Sequence, residues 1–245
     1  MLPKIDVPVY ETTLISTGKK IKFRPFLVKE QKLFLMASQS EDAEETVNVI
    51  KQVLNNCLIS KVDIDELPTF DIEYLFLNLR AKSVGEIINL SYICNNIVFD
   101  ENHVEKKCNT TNKFDLNILE IEPTLNEKHN KKIEISKKMG IVMKYPTLKM
   151  LNDLQNSNIE DINTLIDLIV SCVDYIYDEN QLYYAKDVEK QELLDFIENL
   201  QQDDLFKLQT FFETMPKLKK NLHFVCKKCG YEDSILVEGI QNFFV

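Results

Sequence analysis

The sequence lacks the residue patterns on which most recognised enzyme sites are built. It has 245 residues, no tryptophan, three histidines and five glycines. The glycines are scattered, so no glycine-rich loop could cradle a phosphate group. The histidines, His103, His129 and His223, share no recognisable spacing, and no zinc-protease helix, nucleophile elbow or kinase signature occurs. The sequence gives no positive case for catalysis, although an enzyme without a familiar motif stays open.

Long apolar segments are also missing. No uninterrupted apolar run approaches the roughly 20 residues that span a bilayer, and residues 1–10 lack the apolar core of a secretory signal. We therefore expect a soluble protein made in a cytoplasm, where thiols stay reduced.

The formal net charge is −10. An acidic surface repels phosphate backbones, so we expect no nucleic-acid partner. The lack of a long apolar run predicts no membrane partner. One basic cluster near the C-terminus is interpreted as a solvated face: Lys217, Lys219, Lys220, Lys227 and Lys228.

Alternating and helical apolar periods succeed one another in the order β-α-β-α-β, which favours an α+β fold. Four segments are predicted. They are an N-terminal β-hairpin with helices (1–85), a β-rich segment (86–146), a helical middle region (147–216) and a β segment (217–245) that packs with residues 86–122.

Several elements can be placed within these segments. A turn at Gly18 predicts a hairpin of Tyr10–Ile15 with Lys20–Phe26. Helices are predicted over Leu27–Ala37 and from Pro68 to a cap at Gly85. The clearest helical stripe in the middle region consists of Ile162, Leu165, Ile166, Ile169, Val173 and Ile176.

The sharpest chemical signal is Cys226-Lys-Lys-Cys229-Gly230. Two cysteines separated by two residues can form a turn that points both sulfurs at one ion, and the following glycine permits the positive φ that such a turn needs. Tetrahedral zinc takes four ligands, so this turn alone is incomplete.

Cys94 and Cys108 are the candidates for the second pair, because Cys94 ends a predicted strand and Cys108 lies shortly before the next, so that a hairpin return would bring them together. Together the cysteines would form a zinc-ribbon-like structural Zn²⁺ site with ligands Cys94, Cys108, Cys226 and Cys229. Their spacing of 14 positions (108 minus 94) is wider than usual, and His103 is kept as an alternative to Cys108.

Other interpretations of the cysteines stay open or are disfavoured. Cys226 and Cys229 could be metal-free. A thioredoxin-like redox pair is disfavoured because strand-like sequence, and no helix, follows Cys229. Cys57 and Cys172 fall on helical apolar stripes and are predicted to be core residues.

Two blocks in the first third of the chain support a family resemblance. The first is Lys22-Phe23-Arg24-Pro25-Phe26-Leu27 with Lys29-Glu30-Gln31-Lys32. The second is Leu67-Pro68-Thr69-Phe70-Asp71-Ile72-Glu73-Tyr74-Leu75-Phe76 with Leu79-Arg80-Ala81-Lys82-Ser83-Val84-Gly85-Glu86. In these blocks the chain resembles the baseplate hub proteins of T4-like contractile-tailed bacteriophages.

The resemblance implies a structural or assembly protein that acts through protein contacts and has no catalytic residues. Its implied partners are other baseplate hub and tail proteins in a symmetric hetero-oligomeric assembly. Its implied locations are the host cytoplasm during assembly and the baseplate of the virion tail. Candidate contact features are the edge of the N-terminal hairpin and Phe243-Phe244. A zinc-ribbon adaptor in transcription or replication stays open as an alternative.

Overall fold

The structure is a computed structural model that describes residues 5–37, 43–99, 101, 103–150 and 162–239. Helices and small antiparallel sheets alternate, so the α+β class predicted from the sequence is confirmed. The chain divides into two compact units. The first consists of Met1–Val62, Phe70–Pro123 and Lys217–Val245, and the second of Asp63–Thr69 and Thr124–Pro216. The segment boundaries at residues 85, 146 and 216 stay predictions.

The first unit begins with the predicted hairpin. Strands β1 (Tyr10–Thr13) and β2 (Lys20–Phe23) are antiparallel, with Tyr10 opposite Phe23. Gly18 in the connecting turn has a φ of 70°, a conformation that costs glycine little. Helices α1 (Val28–Ala37) and α2 (Ala43–Cys57) follow.

Helix α3 (Thr69–Val84) is more deeply buried than an amphipathic pattern predicts. Leu75, Phe76 and Leu79 are buried as expected, but Leu77 and Ala81 are buried as well. The helix therefore packs on several sides, and an interior helix does not need a one-sided apolar stripe. It ends before Gly85, whose φ is 116°.

Most of the other described residues of the first unit lie in or between β-strands. Strand β3 (Ile87–Ile93) pairs with β6 (Thr111–Asn117), and β4 (Ile97–Phe99) pairs with β5 (Glu105–Lys107). A second sheet has the order β13-β12-β7, in which β7 is Pro123–Thr124, β12 is Lys217–Val225 and β13 is Glu232–Glu238. One apolar core joins β3, β6, β12 and β13 to α3 and consists of Leu77, Ala81, Ile88, Leu116, Ile118, Ile121, Leu218 and Val237.

The second unit contains a four-stranded sheet with helices. The sheet order is β11-β10-β9-β8, with β8 Lys132–Glu134, β9 Gly140–Met143, β10 Val173–Tyr177 and β11 Leu182–Tyr184. The helices are α4 (Ile162–Ser171), α5 (Lys190–Glu198) and α6 (Gln202–Thr214). Their common core includes Ile141, Met143, Ile169, Val173, Leu208 and Phe211.

Two details differ from the sequence prediction. The helical stripe of the middle region ends at Ser171, and Val173 and Ile176 lie on strand β10. A spacing of three positions suits a helix better than a regular strand. Both residues are nevertheless buried on β10, whose pairing with β9 shifts register between Val173 and Tyr175. Residues Asn95 to Asn112 form a polar connection between two predicted strands in the sequence, and the structure places the β4–β5 hairpin within it.

Among the described residues, no helix is both long enough and apolar enough to cross a membrane.

Candidate metal centre

Four cysteine side chains meet in the first unit. The Sγ atoms of Cys94, Cys108, Cys226 and Cys229 all lie within 4.8 Å of one another. The first two cysteines follow β3 and β5, Cys226 follows β12, and Cys229 lies in the turn before β13. The sequence prediction named these four residues, and the fold places their sulfurs together.

The C-terminal turn has the geometry that its glycine predicts. The Gly230 N–H donates to the Cys226 carbonyl at 2.9 Å, and the Cys226 N–H donates to the Tyr231 carbonyl at 2.8 Å. Gly230 has a φ of 69°. The positive φ reverses the chain directly after Cys229, so both sulfurs face the same side.

The second turn is built in the same way, although its cysteines are far apart in sequence. The Asn109 N–H donates to the Cys94 carbonyl at 3.0 Å, and Asn109 has a φ of 52°. Between Cys94 and Cys108 the chain forms the β4–β5 hairpin and returns, and the Cys108 N–H then donates to the Asn96 carbonyl at 2.8 Å. The wide spacing of Cys94 and Cys108 in sequence is therefore due to an inserted hairpin, whose adjacent ends keep the two sulfurs close together.

The sulfur separations suit a tetrahedral ion. Cys94 Sγ lies 3.8 Å from Cys229 Sγ, and Cys108 Sγ lies 3.8 Å from Cys226 Sγ. Four sulfurs at about 2.3 Å from a tetrahedral zinc are about 3.8 Å apart. A disulfide needs about 2.05 Å, so these cysteines are free thiols.

Electrostatics within the group also favour a cation. The backbone N–H groups of Cys229 and Lys228 lower the pKa of the Cys226 thiol to about 6. Burial raises the pKa of Cys94 to about 12, because the low-dielectric surroundings disfavour its thiolate. A divalent cation would stabilise all the thiolates together, whereas uncompensated charges would repel one another.

The surroundings include two polar residues and an aromatic wall. Asn96 Nδ2 lies 3.7 Å from Cys229 Sγ, and Asn112 Oδ1 accepts the Lys227 N–H at 3.2 Å. Phe224 packs edge-on against Tyr92 and Phe114, with ring centroids 5.1 and 5.4 Å apart. Sequence reasoning missed both asparagines, because no pattern distinguishes a polar residue beside a metal site from one that faces solvent.

The remaining candidate residues lie elsewhere. His103 is exposed and does not belong to the sulfur group found among the described residues. Cys57 and Cys172 are fully buried, as predicted, and Cys172 belongs to the apolar core of the second unit. Phe243 and Phe244 lie outside the described residues.

Known proteins with similar sequences come from bacteriophage baseplates. The family model described as T4 bacteriophage base plate protein matches residues 7–245. The chain is 22% identical over 228 residues to the baseplate hub assembly protein gp26 of Enterobacteria phage T4, and the match covers 93% of each chain. No solved structure gives a significant match.

Proposed function

The chain belongs to the T4 bacteriophage base plate protein family, and from this premise we propose that it is a structural or assembly protein of the baseplate hub. It acts by presenting surfaces to other hub and tail proteins in a symmetric hetero-oligomeric assembly. It performs no catalysis. It works in the host cytoplasm during assembly and belongs to the baseplate of the virion tail.

The match to the family over residues 7–245 carries this proposal. The match spans almost the whole chain, so the proposal does not depend on similarity within one short segment. The relative in phage T4 is itself named as a baseplate hub assembly protein. That name favours a role in building the hub over a zinc-ribbon role in transcription or replication.

We further propose that the cysteine cluster holds one Zn²⁺ as a closed structural site. All the ligands would be thiolates of this chain, Cys94, Cys108, Cys226 and Cys229, which leave no open coordination position for substrate. The ion would crosslink segments 118 to 135 positions apart. Such a crosslink would fix the β3–β6 and β12–β13 strands as one zinc-ribbon-like element, in which residues 217–245 pack with residues 86–122.

Contact with partners requires exposed features, and the N-terminal hairpin offers one. Strand β1 begins the chain's first sheet, which has only two strands among the described residues. An edge of this kind can accept a strand from another protein. The aromatic pair Phe243-Phe244 is the second candidate contact.

The function is tested by affinity-tagging the chain in an infecting phage and purifying it from lysed cells. We expect the other hub proteins to co-purify at near-stoichiometric ratio. A chain that purifies alone from infected cells, with normal tails assembling in its absence, would contradict the proposal. Mass spectrometry of purified tails then separates a permanent hub component, present in tails, from an assembly factor, absent from them.

A further inference from the structure

The net negative charge of the protein comes entirely from the second unit. The first unit contains 19 basic and 19 acidic residues, whereas the second contains 10 basic and 20 acidic ones. The formal net charge of −10 is therefore the charge of the second unit alone. A partner that meets this unit meets a strongly negative body.

Most of that charge lies in one stretch of the second unit. Residues 174–204 contain ten acidic side chains and two basic ones, Lys186 and Lys190. Lys190 is paired with Asp167 at 2.7 Å. Eight of the acidic residues are exposed: Asp174, Glu179, Asp187, Glu189, Glu192, Asp195, Glu198 and Asp203.

An edge strand runs through this acidic stretch. Strand β11 is the outermost strand in the sheet order β11-β10-β9-β8, so among the described residues its far side pairs with no strand. Its side chains are unusually apolar for an exposed edge. Leu182 is 50% exposed, Tyr183 39% and Tyr184 43%. Natural edge strands are commonly protected by charge, proline or a covering element, and β11 itself has neither charge nor proline.

A cleft of about 250 Å³ opens beside β11. Its floor is apolar and formed by Ile176 and Leu193, which are 7% and 5% exposed. Asp178 and Glu192 also line the cleft. An apolar floor beneath carboxylates matches a lysine or arginine side chain, whose long stem is apolar and whose tip is cationic.

The Asp178 carboxylate is held in place and stays ionised. It accepts the N–H groups of Asn180 and Gln181 at 2.7 and 2.9 Å and the Tyr183 hydroxyl at 2.9 Å. These bonds lower the pKa of Asp178. On the neighbouring turn, Lys138 is paired with Glu179 at 2.8 Å.

We propose that β11 and this cleft form the docking site for an extended basic segment of a partner protein. The backbone of the segment adds to the free edge of β11. One lysine or arginine of the segment inserts its stem between Ile176 and Leu193 and directs its charge to Asp178 and Glu192. The proposal rests on the proposed function, because it names the chemistry of one hub contact.

The test uses the full-length protein and a fluorescein-labelled, end-capped peptide of sequence Val-Arg-Val-Arg-Val. Fluorescence anisotropy is expected to show saturable binding, and a Val-Glu-Val-Glu-Val peptide is expected not to bind. Glu192→Lys should weaken binding at least about tenfold. Glu198→Lys is the matched control on the same helix, because it makes the same charge change at a residue that does not line the cleft.

A second peptide tests the contribution of the strand edge. N-methylation at alternate backbone nitrogens removes donors but keeps the arginines, so it should abolish binding if β11 pairs with the peptide. Glu192→Gln supplies a milder variant, and thermal melting of each variant confirms that it is folded.

Three results would overturn the proposal. The arginine peptide does not bind, or Glu192→Lys and Glu198→Lys weaken its binding equally. In the third, the wild-type protein self-associates and Glu192→Lys dissociates it. The last result, measured by sedimentation velocity, would make a second copy of the chain the occupant. If the tagged chain still co-purifies with hub proteins while the peptide fails to bind, only this inference is lost. If co-purification fails, the proposed function itself is lost.

Discussion

Asn109 and Gly230 occupy equivalent positions in the two turns of the cysteine cluster. Each follows the second cysteine of its pair, each has a positive φ (52° and 69°), and each donates its N–H to the carbonyl of the first cysteine at 3.0 and 2.9 Å. Asparagine tolerates the left-handed region better than other residues with a side chain. The two turns are therefore one structural motif used twice.

This equivalence explains the unusual cysteine spacing. In the C-terminal turn two lysines separate Cys226 from Cys229, whereas the β4–β5 hairpin stands at that place between Cys94 and Cys108. The ends of a hairpin are adjacent, so an insertion of this kind leaves the turn geometry intact. Long insertions in surface loops also cost little conformational free energy.

The first prediction concerns the left-handed residue of the inserted turn. Asn109→Gly should change the free energy of unfolding by less than about 1 kcal/mol, because glycine accepts this φ. Asn109→Val should cost roughly 1–3 kcal/mol, because a β-branched residue is strained there. Urea unfolding measures both, and Gly230→Val should behave like Asn109→Val. Equal stability of the glycine and valine variants at residue 109 would show that the turn does not depend on its φ.

The second prediction concerns the metal. Elemental mass spectrometry of purified protein should give about one zinc per chain. Cys226→Ser should abolish the zinc and lower the free energy of unfolding by on the order of 3 kcal/mol or more, because the crosslink is lost. Chelation of the wild-type protein should produce the same loss of stability.

Cys172→Ser is the matched control for the metal prediction. Cys172 is fully buried in the second unit, and a serine hydroxyl without a partner there should cost roughly 1–3 kcal/mol. The folded variant should nevertheless keep its zinc. Wild-type protein that purifies without metal and is not destabilised by Cys226→Ser would contradict the site.

The cysteine cluster could be predicted from the sequence because a tetrahedral zinc site needs four ligands, which restricts the residues that can complete it. A cysteine pair at the end of a strand needs partners, and Cys94 and Cys108 were the remaining candidates outside helical stripes. The hairpin at Gly18 and the end of α3 at Gly85 were predicted for a similarly local reason, since both positions have a positive φ.

Elements that depend on distant pairing could not be predicted in this way. Ile97–Phe99 is too short to show a clear alternation, and it becomes a strand because it pairs with Glu105–Lys107. Val173 and Ile176 continue the helical spacing of α4, yet they pair with β9. In both cases the decision lies in tertiary structure, which overrides local periodicity.

The third prediction concerns a buried ion pair in the first resemblance block. Arg24 Nη2 contacts Glu30 Oε1 at 3.0 Å and the Asn56 carbonyl at 2.9 Å, and the Glu30 side chain is fully buried. Burial alone would raise the pKa of Glu30, but hydrogen bonds from Arg24 and the Leu27 N–H outweigh it and the pKa is lowered. Arg24→Met would leave the buried carboxylate with only the Leu27 N–H and the exposed Lys29 ammonium as partners and should cost roughly 3 kcal/mol in urea unfolding.

Lys29→Met is the matched control, because Lys29 contacts the same Glu30 oxygen at 3.4 Å but is 68% exposed. It should cost less than about 1 kcal/mol. The double variant Arg24→Met with Glu30→Gln should recover part of the loss, because no charge is then left buried. Similar losses for the Arg24 and Lys29 variants would mean that burial does not strengthen the pair.

The fourth prediction concerns His129, which is half-buried and packs against Phe211 of the second unit's core. Its Nδ1 lies 3.0 Å from the Thr214 hydroxyl oxygen, and its Nε2 lies 3.0 Å from the Tyr145 hydroxyl. The Thr214 hydroxyl donates to the Thr210 carbonyl at 2.7 Å, so it accepts from Nδ1–H. Burial followed by the charge of Lys131 lowers the pKa of His129, which favours the neutral ring, and a neutral ring accepts from Tyr145 at Nε2.

A lowered histidine pKa makes stability depend on pH in a defined direction. In the unfolded chain the ring takes up its proton near the ordinary pKa of 6.5, whereas in the folded chain it does so only at lower pH. Between these two pKa values the unfolded state binds more protons than the folded state. The contribution of His129 to the free energy of unfolding is therefore full above pH 6.5 and falls as the pH decreases through this window. We expect urea unfolding at about pH 7.5 and about pH 5.5 to show this loss in wild type, and His129→Gln to show a smaller one. His103→Gln, a change at an exposed histidine, should keep the wild-type pH dependence. If His129→Gln and the wild type lose equal stability between the two pH values, the ring is not held neutral by the fold.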